Sequence, residues 1–372
     1  MSWPDSSSAS LSLLVRVLRA PRTAARLDLA GWDLLLRQAG NANLLVSLLY
    51  LLEDDGLLDA VPAAPRAHLE WARLAAASHA RSVRHEVACI AAALRGLDVP
   101  LILLKGSAYA MAGLDAGRGR LFSDVDILVP RTRLDQVEAA LMLSGWASTH
   151  HDPYDQHYYR EWMHEIPPMV HVRRGNTIDV HHAILPETAA VRPDPDLLRA
   201  AAVPIAQCPG LSMLAPHDMF LHSAVHLFSD GEFEHGLRDL LDLHRLALQF
   251  GAEPGFWTGL VPRARVLQLG RPLYYALRYL QPILGTPVPI EVMSAAAAAG
   301  APNLALRAVM DALFLSALQP HHPSCVGRLD AAARFALYIR GNWLRMPPFM
   351  LARHLLHKAF VSPRTDATGD QA

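Results

Sequence analysis

The sequence predicts an α+β fold, predominantly helical, with a small mixed β-sheet between an N-terminal and a C-terminal helical region. Three observations predict it. Apolar residues recur at helical spacing from Leu11 to about Leu97. Strand-like apolar runs with turn signals occupy the middle, Val99 to about Leu185. Helical spacing returns from His217 onwards. The boundaries place a helical region at 1–97, an α/β core at 98–186, a C-terminal helical domain at 187–360 and a tail at 361–372. The polar residues 1–9 and the tail are expected to be disordered. With 372 residues and 52% hydrophobic content, the chain is long enough to bury a large core.

Trp32, Leu35 and Leu36 mark one amphipathic helix, and Leu45, Leu48, Leu49 and Leu52 another. A long helix is expected from Pro65 to Leu94. None of these carries a chemical motif, and they read as a helical cap. In the core, Val99 to Leu104 reads as a buried strand, broken by Lys105-Gly106-Ser107, and small residues then suit a helix ending near Gly113. A Gly- and Arg-rich loop leads to a strand over Ser123 to Val129. Arg131 to Ser144 reads as a helix stopped by Gly145. Two strands, Pro167–Arg173 and Asn176–His182, are expected to form a hairpin at Arg174-Gly175. Proline makes 186–209 irregular. Helices follow at His217–Phe228, Glu234–Phe250, about Leu273–Leu284, Asn303–Leu318 and Leu329–Phe360.

The chemistry lies in Leu101 to Val129. Strand side chains repeat every two residues, so Asp124 and Asp126 share one face while Val125, Ile127 and Val129 take the other. Two adjacent carboxylates repel unless one takes a proton or a cation sits between them. Mg²⁺ is the usual cation where the substrate carries phosphates. The amides at the helix start after Gly106-Ser107 suit phosphate oxygens. The Ser107 hydroxyl suits either a phosphate or a helix cap. Lys105 and Arg120 suit phosphate charge, or equally an ion pair with Asp124 or Asp126.

Leu104-Lys105-Gly106-x-Ala108, then Arg120-x-x-Ser123-Asp124-Val125-Asp126-Ile127-Leu128-Val129, resembles a bacterial group of uncharacterised nucleotidyltransferases in the polymerase beta-type nucleotidyltransferase superfamily. The resemblance covers Leu101 to His182 well and the flanking helices loosely. The gap from Gly106 to Asp124 is longer than in compact members. The resemblance implies a Mg²⁺-dependent enzyme, with two ions, that moves a nucleoside monophosphate from a nucleoside triphosphate (ATP among the candidates) to an unknown acceptor, a small molecule or a protein. It implies a third carboxylate on a later strand, a role that Asp179 fits. Asp124, Asp126 and Asp179 are then the catalytic and metal-binding residues, and Lys105, Gly106, Ser107, Arg120 and Ser123 the nucleotide-binding ones. It also implies that the helix bearing Arg238, Asp239 and Asp242 packs beside the active site. By spacing alone, Arg238 can pair with Asp242.

Net charge is −1, which offers no case for long nucleic acid as the main partner. Cys89, Cys208 and Cys325 show no metal or disulfide spacing. The N-terminus does not read as a secretory signal, and no stretch has the length and apolarity of a membrane span, so a cytoplasmic location is the default. Tyr338 to Phe360 mixes cationic and apolar residues, which suits an anionic membrane surface, although packing against the body is the simpler account. His217, His222 and His226 approach zinc spacing but lack the acid of His-Glu-x-x-His. His181 or His182 is placed to orient Asp179. The alternative to an enzyme is a catalytically inactive module of the same fold that binds nucleotide or a partner and regulates.

Overall fold

The computed structural model describes residues 11–150, 152–327, 329–347 and 349. The expectations for residues 1–9 and for the tail lie outside these residues, whereas the helix expected over Leu329–Phe360 ends at Arg345, where Met346 turns to extended backbone ahead of Pro347. Four helices open the chain: α1 (Leu13–Arg19), α2 (Leu29–Asn41), α3 (Leu45–Asp54) and α4 (Ala63–Ala93). Asp28 caps α2 by accepting a hydrogen bond from the Gly31 amide at 2.8 Å. The centre alternates β1 (Leu101–Leu103), α5 (Lys105–Ala112), β2 (Asp124–Leu128), α6 (Leu134–Leu143), β3 (Trp146–Ser148), α7 (Pro153–His157), β4 (Met169–His171) and β5 (Thr177–His181). Then come α8 (Pro195–Ala201), β6 (Val203–Pro204), β7 (Leu211–Met213) and the helices α9 (Pro216–Ser229), α10 (Gly236–Gly251), α11 (Phe256–Val266), α12 (Gly270–Leu284), α13 (Ile290–Gly300), α14 (Leu304–Ala317) and α15 (Asp330–Arg345).

The fold is therefore mostly helical with a mixed seven-stranded sheet in the middle, in the order β3-β4-β5-β2-β1-β7-β6. The central pair β2–β5 is parallel and β1–β2 antiparallel. The expected hairpin is present, with β4 and β5 antiparallel and Gly175 in the left-handed region at φ 71°. Helices α4 and α5 contact β2. Buried apolar side chains from Leu13 to Leu337 form one continuous cluster.

The proline-rich stretch is not irregular throughout. Asp194 caps α8 and Pro195 occupies its first turn, where a missing amide costs nothing. Beyond it, β6 and β7 extend the sheet, β7 running parallel to β1. Helices α11 and α13 lie where no helix was expected; α11 carries Pro262 in its interior and α13 is an alanine run with few pattern cues. Among the described residues, no helix is long and apolar enough to cross a membrane.

Helix α15 docks on the turn between α9 and α10 through a glycine crossing. A Cβ on Gly341 would fall 2.5 Å from the Asp230 carbonyl oxygen, and one on Gly231 would fall 2.8 Å from that of Leu337. At the end of the helix, Arg345 Nη2 lies 2.9 Å from Asp230 Oδ1.

Candidate active site

The turn from β1 into α5 carries the first group of site residues. Lys105 has φ 45°, a left-handed conformation uncommon for a side chain of this kind. Gly106 follows because nothing larger fits: a Cβ would lie 2.3 Å from Arg120 Nη1 and 2.7 Å from Phe122 Cδ1. The Ser107 hydroxyl is buried and donates to the Leu104 carbonyl at 2.8 Å, with the Asp126 carbonyl 3.4 Å away. It fastens the turn to β2 rather than pointing at a ligand.

Alternation along β2 and β5 carries the second group. Val125, Ile127 and Val180 are buried in the core, which turns Asp124, Asp126 and Asp179 to the opposite face. The parallel register sets Asp126 directly beside Asp179. One oxygen from each of the three carboxylates lies within 4.8 Å of those of the other two. Asp126 is 3% exposed, and its Oδ1 accepts from Lys105 Nζ at 3.1 Å and from His181 Nε2 at 2.9 Å. Burial opposes charge on Asp126, but the Lys105 ammonium and the His181 bond outweigh it and hold the carboxyl well below the usual range. Asp179 has the reverse environment. Burial, then the charges of Asp126 and Glu165, push its carboxyl up to about 7. Its Oδ1 is buried without a hydrogen-bond partner.

Arg120 does not pair with either strand aspartate. Its Nε lies 2.6 Å from Asp242 Oδ2 and its Nη2 3.6 Å from Asp239 Oδ1, both on α10. Arg238 pairs with its neighbour Asp239 at 2.8 Å rather than with Asp242. A cavity of about 660 Å³ opens between the two groups. Lys105, Gly106, Ser123, Asp124 and Asp126 line one side, while His226, His235 and Arg238 line the other. Its size suits a small-molecule ligand.

The histidines divide differently from expectation. His181 contacts Asp126 rather than Asp179, while His182, the residue after β5, lines a separate cavity with Arg131. On α9, His217 stacks on Phe256 with ring centroids 5.1 Å apart and lies 2.9 Å from the Phe256 carbonyl. Among the described residues, the His, Cys, Asp and Glu groups close enough to share a metal ion are the aspartate trio and His164, Glu165 and His181, and none is on α9. The zinc spacing of that helix is thus core and cavity lining. His164 and Glu165 carry no signal in the sequence, because they lie in an irregular segment.

Three carboxylates thus lie on a parallel strand pair beside a Gly-Ser strand-to-helix turn. The family model described as uncharacterised nucleotidyltransferase matches residues 28–285, most of the chain, and the protein belongs to that family. No curated protein and no solved structure matches the chain.

Proposed function

We propose that the protein transfers a nucleoside monophosphate from a nucleoside triphosphate to an acceptor, in a Mg²⁺-dependent reaction that releases pyrophosphate. The observation that carries this reading is the cluster of Asp124, Asp126 and Asp179, with oxygens within 4.8 Å of one another and Asp179 Oδ1 buried without a partner. Such a cluster of like charges, in a family of nucleotidyltransferases, suits hard divalent cations. Asp124, Asp126 and Asp179 would hold the Mg²⁺ ions, which when bound neutralise phosphate charge and stabilise the attacking and leaving oxygens.

The chain's own groups supply the rest. Lys105 lines the cavity and presents an ammonium group to the triphosphate. Gly106 and Ser123 shape the wall beside it. Asp239 and Asp242 hold Arg120 across the turn, so the guanidinium packs over Gly106 and fixes its path. Asp179 accepts the proton of the acceptor hydroxyl. The acceptor oxygen bonds to the α-phosphorus as the bond to the bridging oxygen breaks, and pyrophosphate leaves with that electron pair. Catalysis rests on positioning and charge neutralisation, with no covalent enzyme intermediate.

One observation favours the alternative, an inactive module that binds nucleotide or a partner and regulates. Lys105 and His181 both engage the same oxygen of Asp126, so the protein itself already neutralises the central carboxylate. A thermal-shift panel of ATP, CTP, GTP and UTP, with and without Mg²⁺, separates the readings when followed by a pyrophosphate-release assay. A ligand at about 100 times its dissociation constant adds roughly 2.7 kcal/mol. A Mg²⁺-dependent shift lost in Asp124→Asn/Asp126→Asn, together with turnover, supports the enzyme. The same shift without turnover across an acceptor screen supports a nucleotide-binding regulatory module, and no shift with any triphosphate rejects nucleotide binding and leaves the partner-binding module.

A further inference from the structure

We propose that His164, Glu165 and His181 form a binding site for a transition-metal dication such as Zn²⁺, adjacent to the aspartate trio but separate from it. One ligand atom from each of the three side chains lies within 4.8 Å of the other two. Two imidazole nitrogens and one carboxylate oxygen are a poor donor set for Mg²⁺ and a good one for zinc.

The site is built by backbone, independently of any ion. The segment carrying His164 and Glu165 runs antiparallel beside β5 in a bridge between Glu165 and His181. The His182 amide donates to the His164 carbonyl at 2.8 Å, and the Ile166 amide to the Val180 carbonyl at 3.1 Å. These bonds fix the Cα positions from which all three ligands project. The His164 and His181 rings stack with centroids 5.3 Å apart. His164 Nδ1 is buried with no hydrogen-bond partner, an orphaned donor atom in a place where a polar group needs one.

His181 supplies the link to the first site. Its Nδ1 lies 3.2 Å from Glu165 Oε2, and its Nε2 lies 2.9 Å from Asp126 Oδ1. A dication on the Nδ1 side replaces the proton between His181 and Glu165, and Nε2–H then donates to Asp126. An imidazole bound to a metal on one nitrogen and to a carboxylate through the other is the usual outer-shell arrangement for a metal-binding histidine. The ion would thus set the orientation of Asp126 from behind.

The test is elemental analysis of untagged full-length protein, with Co²⁺ titration of chelator-treated protein as a second readout. Near-stoichiometric zinc, or visible Co²⁺ d–d bands of a nitrogen-containing site, is expected. Both should persist in Asp124→Asn and Asp179→Asn and fall at least tenfold in His164→Ala and Glu165→Gln, with circular dichroism confirming folded variants. Neither zinc nor Co²⁺ bands in the unsubstituted protein overturns the proposal, and that measurement needs no variant. Metal retained in His164→Ala, or lost in Asp124→Asn, also overturns it. Because the readout is bound metal, the result stands apart from whether the protein transfers nucleotides.

Discussion

Asp126 and Asp179 occupy matching positions on the parallel strands β2 and β5, yet their surroundings are opposite. Asp126 has two partners on one oxygen, the Lys105 ammonium and the His181 imidazole, whereas Asp179 has an oxygen with none. One carboxylate of the pair is thus satisfied by the protein and the other is not. Asp126→Asn is expected to lower turnover by about 10²-fold or more, the usual scale for a group that stabilises developing charge. The fold should survive, because Lys105 retains 19% exposure and can reach water. Pyrophosphate release and a thermal melt on the same sample check both halves; full activity would remove the aspartates from the mechanism.

Asp179→Asn is expected to stabilise the ligand-free protein while abolishing turnover. The carboxylate sits beside Asp126 and close to Glu165 with no cation of its own, so an uncharged side chain relieves repulsion worth about 1 kcal/mol. Urea unfolding in chelator at pH 8 measures it, and a lower midpoint in the variant would contradict the reading.

Gly106→Ala puts a methyl group where Arg120 and Phe122 already lie. The guanidinium must leave Asp239 and Asp242, or the turn must shift. A loss of about 1–3 kcal/mol is expected from the overpacking, with weaker nucleotide binding. Calorimetric titration of the variant checks the second effect.

Arg120→Met leaves Asp239 and Asp242 without the cation that lies between them, a change of about 3–5 kcal/mol for a buried pair stripped of one partner. Adding Asp242→Asn should recover part of that loss. A double-mutant cycle by urea unfolding tests it, and strictly additive effects would show that the contact carries no energy.

Acid should weaken the fold through His244. Burial, then the Arg245 charge, lower its imidazole from 6.5 to about 4, and its Nδ1 lies 2.7 Å from Thr286 Oγ1. Between those two values the unfolded chain binds more protons than the folded one, so stability rises with pH. It is fully present above about 6.5 and is lost as pH falls towards 4, an effect of about 1–3 kcal/mol. His244→Gln should flatten the unfolding midpoint over that window relative to the unsubstituted protein.

The strand positions of Asp124, Asp126 and Asp179 were legible in the sequence because a two-residue period fixes which face a side chain takes. That Asp126 and Asp179 are neighbours required the register of two strands, which no local pattern encodes. The partner of Arg120 was hidden for a related reason: Asp242 lies 122 residues away, and although the resemblance places its helix beside the active site, no local pattern pairs the two. Helix α8 was hidden by its own first proline, a residue that breaks a helix in the middle and starts one at the end.

The glycine crossing of α15 extends the region on which the cavity depends. Family resemblance ends at residue 285, but Asp230, which lies 3.5 Å from the cavity-lining His226, is clasped by Arg345 and abutted by Gly341. The last described helix therefore works as a buttress, carrying load from outside the shared framework onto the rim of the site. A chain shortened at the family boundary would keep every carboxylate of the trio and lose the brace behind one wall.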